Sequence, residues 1–64
     1  MRNRSIETTL TVREREVAKL AAFGFSNAEI AEKLHLSLAS VKQSVRIAAY
    51  KGGVNSRDEL ATIL

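Results

Sequence analysis

Three Ser/Thr-x-x-Glu tetrads, Thr11-Val12-Arg13-Glu14, Ser26-Asn27-Ala28-Glu29 and Ser56-Arg57-Asp58-Glu59, punctuate a chain of only 64 residues. In such a tetrad the hydroxyl accepts from the backbone N–H three residues on, and the carboxylate reaches back to the first N–H. Two otherwise unpaired donors at a helix start are thereby satisfied. Gly24 and the Gly52-Gly53 pair lie where helices begun at the first tetrad and at Ser37 run out, and glycine takes the left-handed conformation that commonly ends a helix. No proline interrupts the segments between these marks.

Starts and stops together predict four helices. Helix 1 spans about 12–23, with Val17, Leu20 and Ala21 on one face, and helix 2 spans about 27–34, with Ile30, Ala31 and Leu34. His35-Leu36-Ser37 is a tight turn in which His35 is an ordinary polar residue and Ser37 caps the next helix. Helix 3 covers about 38–51, its inward stripe formed by Val41, Val45 and Ala48. Helix 4 covers about 57–64 and carries Leu60, Ile63 and Leu64. Residues 1–9 read as a loose arm, leaving one domain over 10–64.

Composition narrows the function classes. With no Cys there is no disulfide, thiolate metal site or cysteine nucleophile, and a single His argues against a catalytic dyad or zinc site, so neither catalysis nor a metal or cofactor is expected. No apolar run approaches the roughly 18 residues of a membrane span. The basic start Met1-Arg2-Asn3-Arg4 has no apolar stretch behind it, which reads as cytoplasmic rather than secreted. Charge is distributed unevenly. Residues 33–57 hold Lys33, Lys42, Arg46, Lys51 and Arg57 with no acid, a local charge of +5, while the remaining residues sum to −2. Such a window attracts a polyanion, although a solvated basic face would look the same.

Two short helices joined by three residues, the second basic on its outer side, form the helix-turn-helix arrangement. The blocks Leu10-Thr11-Val12-Arg13-Glu14-Arg15-Glu16-Val17, Gly24-Phe25-Ser26-Asn27-Ala28-Glu29-Ile30-Ala31, Ser40-Val41-Lys42 and Gly53-Val54-Asn55-Ser56-Arg57 occur in order. Together they resemble the LuxR/GerE-type DNA-binding domain, the C-terminal output module of NarL/FixJ-like response regulators and quorum-sensing regulators. Sigma-factor region 4 has a similar helix 1 but not the second and last of these blocks. The resemblance implies an all-α, four-helix helix-turn-helix domain with helix 3 as recognition helix. It also implies a bacterial transcriptional regulator with a regulatory domain upstream, a location on the nucleoid and RNA polymerase as a further partner.

The chain departs from that family at several positions. Ser44 stands where His is usual and Gly52 where Leu is usual, and Ala18 and Ala48 replace larger aliphatic residues. Phe23, Leu38 and Ile47 occupy positions that are usually polar. Either the helices shift so that Phe23 and Ile47 refill the core, or these residues meet a partner, or they are ordinary exposed hydrophobes. The small residues Ala18, Ala48 and Gly52 are also expected to leave helix 3 marginally anchored at its C-terminal end, so that enlarging them, Gly52→Leu above all, stabilises the fold unless Gly52 is a left-handed cap or its space is already filled.

With Val41 and Val45 inward, Lys42, Gln43 and Arg46 point outward. Lys and Arg suit guanine O6/N7 and Gln suits adenine N6/N7, so these three are the expected base readers of double-stranded DNA, and the family's base contacts fall on the same positions. Ser26, Asn27 and Ser40 at helix starts, with Lys51 and Arg57 at the flanks, are the expected backbone contacts. Tyr50 is expected to pack on its neighbours rather than stack on a base. Helix 4 is expected to give a weak homodimer contact, its three apolar residues exceeding what one small core needs. The rival readings are a degenerate LuxR-type fold used as a protein-interaction module and, more remotely, a catalytic accessory domain.

Overall fold

The computed structural model describes residues 9–64. The expected arm over 1–9 lies outside the described residues except for Thr9. Three α-helices, α1 (Val12–Ala22), α2 (Asn27–Leu34) and α3 (Leu38–Gly52), precede a terminal 3-10 helix (Arg57–Ile63), and no strand occurs among the described residues.

The expected starts form as anticipated for the first three helices. Thr11 N–H donates to Glu14 Oε1 at 3.0 Å while Glu14 N–H donates to Thr11 Oγ1 at 3.1 Å, and Ser26 and Glu29 make the same reciprocal pair at 2.8 and 3.1 Å. Ser37 Oγ accepts from Ser40 N–H at 3.1 Å to start α3. Each helix ends in the same closure. Gly24, His35 and Gly53 adopt positive φ, and the following residue sends its N–H back five positions: Phe25 to Leu20, Leu36 to Ala31, Val54 to Ala49, all within 3.1 Å. This is the Schellman pattern, which carries an apolar residue just past the left-handed one. Phe25, Leu36 and Val54 fill that role and pack against the core. The helix stops thus also anchor the connecting loops.

The third tetrad does not form a capping box. Ser56 makes no side-chain cap, and Glu59 Oε1 instead accepts from Asn55 N–H at 2.9 Å, one residue early. The segment winds as a 3-10 helix, with Glu59 N–H donating to Ser56 O at 3.2 Å. In that geometry residues three apart eclipse, so Arg57, Leu60 and Ile63 share one edge; an α-helix would rotate the third of them about 120° away from the first. Arg57 reaches the start of α2, Leu60 enters the core and Ile63 rests on the end of α3.

The core is Val17, Ala18 and Ala21 from α1, Ile30 from α2, Val41 and Ala48 from α3, and Leu60. Three of these seven are alanines, and Leu60 of the terminal turn is one of the large side chains buried with them. A Cβ at Gly52 would run into Ile63 Cδ1 and lie 2.9 Å from Ile63 Cγ2. Gly52 is therefore small because Ile63 occupies its place. This corrects the expectation that Phe23 and Ile47 refill the core: Phe23 is 75% exposed, and neither packs against the buried cluster. Of the three apolar residues expected at a homodimer contact, Leu60 is fully buried, Ile63 lies on Gly52 and Leu64 is 44% exposed.

Candidate nucleic-acid interface

The outward side of α3 is set by its inward side. Val41 and Ala48 are fully buried and Val45 packs against them, so residues 39, 43, 46 and 50 occupy the opposite stripe, with 42 and 47 on its two shoulders. Ala39, Lys42, Gln43, Arg46 and Ile47 line one shallow concavity on this face. Among the described residues, Lys42, Gln43 and Arg46 make no hydrogen bond or ion pair, leaving their donors and acceptors unengaged. All three expected base readers therefore stand together.

Ile47, expected only as an apolar residue in a usually polar position, lines the same concavity as the three expected base readers. The signal was its spacing, four residues after Gln43. Tyr50 is 86% exposed at the far end of the stripe, which corrects the expectation that it packs on its neighbours.

The other cations of the basic window are held internally. Lys51 Nζ donates to Glu14 Oε1 at 2.8 Å and to the Thr9 carbonyl at 3.1 Å, with only 18% of its side chain exposed. The hydrogen bond from Lys51 holds the Glu14 carboxyl below the usual carboxylate range, helped by the Thr11 N–H and outweighing the effect of burial. Arg57 Nη1 donates to Asn27 Oδ1 and its Nη2 to the Phe25 carbonyl, both at 2.7 Å, which sets a guanidinium beside the start of α2. Lys33 Nζ sits 4.8 Å from the centre of the Phe25 ring, within cation–π range. Lys42 and Arg46 are the basic residues of the window that keep their charge unengaged.

The helix-start residues divide between capping and display. Ser26 Oγ is occupied as acceptor by Glu29 N–H, and Ser40 Oγ accepts from the Ser37 hydroxyl at 3.0 Å, while both hydroxyls keep their own hydrogen to donate. Asn27 uses its Oδ1 on Arg57 and retains its amide N–H groups.

The GerE model, describing bacterial regulatory proteins of the luxR family, matches residues 8–64. The chain belongs to the luxR family. No curated protein and no solved structure matches it. Membership makes this luxR-family chain a DNA-binding regulatory domain, and the turn at residues 35–37 joins the two helices of its helix-turn-helix. Among the described residues no helix is long and apolar enough to cross a membrane.

Proposed function

We propose that this luxR-family domain binds double-stranded DNA sequence-specifically, laying α3 in the major groove, as the output module of a bacterial transcriptional regulator of the two-component or quorum-sensing type. The observation that carries the reading is the sorting of charge. Lys51, Arg57 and Lys33 are engaged inside the domain, whereas Lys42 and Arg46 share one open face with Gln43. A folding requirement would not select this division, since nothing in the fold uses the three outward groups.

In this reading Lys42 and Arg46 donate to guanine O6/N7, and Gln43 pairs with adenine. Ser26, Asn27 and Ser40 hold phosphates at the starts of α2 and α3, where free N–H groups and the helix dipole favour an anion. Arg57 supports that site by placing its charge beside Asn27. Lys51, paired with Glu14, contributes to stability in place of a phosphate contact. The isolated domain is mostly monomeric, and two copies on DNA meet weakly at the terminal turn, where Leu64 is 44% exposed. The setting is the cytoplasm, on the nucleoid.

Titration of a randomised duplex pool at several salt concentrations tests the proposal. One site should be enriched, and affinity should fall linearly on a log–log plot against salt. Uniform retention of all duplexes would reduce the domain to a non-specific binder. A second reading, a protein-interaction module, is supported by Phe23, whose exposed ring borders a groove with Leu20 and Leu34 flanked by Glu16 and Lys19. Absence of any duplex binding would favour it.

A further inference from the structure

We infer that Ile47, aided by Ala39, is a specificity-determining residue that reads thymine methyl groups. The inference rests on the proposed docking of α3 in the major groove. The concavity on α3 is lined by five residues, and two of them, Ala39 and Ile47, have no side-chain donor or acceptor. In the major groove each base pair presents donors and acceptors, and the apolar group among them is the C5-methyl of thymine. An apolar side chain on that face therefore has one favourable partner on the base edges. Over any other edge it covers polar atoms without replacing their hydrogen bonds to water, which is unfavourable.

The placement of the two residues strengthens the inference. Ala39, Gln43 and Ile47 are spaced four apart and form one row along α3, so the amide that suits adenine is bracketed by two apolar groups. Each step along that row advances about 6 Å, roughly two base-pair rises. Adenine read by Gln43 brings a thymine methyl into the groove on the opposite strand, and neighbouring A·T pairs bring further methyls beneath Ile47 or Ala39. Ile47 is also partly buried and β-branched, so its rotamer is restricted before binding and little freedom is lost on contact. Lys42 and Arg46 add guanine to the same site. The row predicts an A·T centre with guanine at one or both sides.

Replacing single thymines by deoxyuridine in the site enriched from a random pool tests this on the full chain. The exchange removes a methyl and leaves every hydrogen-bonding group unchanged. At one or two positions affinity should fall about fourfold, the worth of one buried methyl. With Ile47→Ala, thymine and deoxyuridine should bind equally at the position Ile47 covers, while Ile47→Val retains part of the difference. 5-Methylcytosine placed at that position should bind better than cytosine. If the enriched site is bound specifically but no thymine exchange matters, or if Ile47→Ala keeps the full thymine preference, the inference is overturned while the DNA-binding proposal stands. If the parent chain enriches no site, the docking of α3 fails and the inference with it.

Discussion

At residue 52 the family habit and the physics of this chain point in opposite directions. A leucine there is usual in related sequences, yet the space it would take is held by Ile63, whose Cγ2 would lie 2.9 Å from the first added carbon. Gly52→Leu should therefore destabilise the fold by about 1–3 kcal/mol, the usual cost of overpacking. Thermal melting of Gly52→Leu alone and combined with Ile63→Ala decides the cause: if the clash is responsible, the double variant loses less than the sum of the singles. None of this was legible in the sequence, because glycine at a helix end reads as a stop and a contact across eleven positions has no local signature. His35 is a second case. Its φ of 57° places a side chain in the left-handed region, where β-carbon crowding costs about 1–2 kcal/mol. His35→Gly should raise stability by roughly half of that, the remainder being offset by glycine's greater freedom in the unfolded chain. No gain in melting temperature would show that the His35 side chain makes a compensating interaction.

The helix starts were legible because they are local. Thr11 with Glu14, and Ser26 with Glu29, need only three residues of separation and a hydroxyl to form, so pattern and geometry agree. The Ser56 tetrad has the same pattern and fails, because tertiary contacts decide its winding: Arg57, Leu60 and Ile63 must all face one wall, which a period of three achieves. Leu60 is fully buried, and Leu60→Ala should cost about 2–5 kcal/mol despite lying near the chain's last residue. Between elements, Lys51 joins the end of α3 to the start of α1 through Glu14. The Glu14 carboxyl titrates below its ordinary range in the fold, so its contribution is present above that range and is lost as pH falls through the lowered value. Melting temperature should accordingly drop on acidification below about pH 5 in the parent and less steeply in Glu14→Gln. Lys51→Ala should lower stability by about 1–2 kcal/mol and leave the salt dependence of DNA binding unchanged. A salt slope reduced by about one would instead mean that Lys51 leaves Glu14 for a phosphate.

For the molecule as a whole, the fold leaves Lys42, Gln43 and Arg46 open on α3 and engages the other cations of the basic window internally. Lys42, Gln43 and Arg46 were legible as outward residues from the spacing of Val41, Val45 and Ala48 alone, since a helix with a defined inside has a defined outside. The internal partners of Lys51 and Arg57 were not legible, because they lie 37 and 30 residues away along the chain. A count of basic residues in the window therefore does not tell which of them are unengaged, and the proposal assigns base reading to the open face of α3. The measurement that bears most directly on that claim is the base preference of Arg46→Ala and Gln43→Ala against the parent, read from selection on a randomised duplex pool and confirmed by titration. Each substitution should cost about 1–3 kcal/mol on the parent's best site and flatten the preference at one or two base pairs. An equal loss on every sequence, with the preference profile unchanged, would contradict base reading by α3.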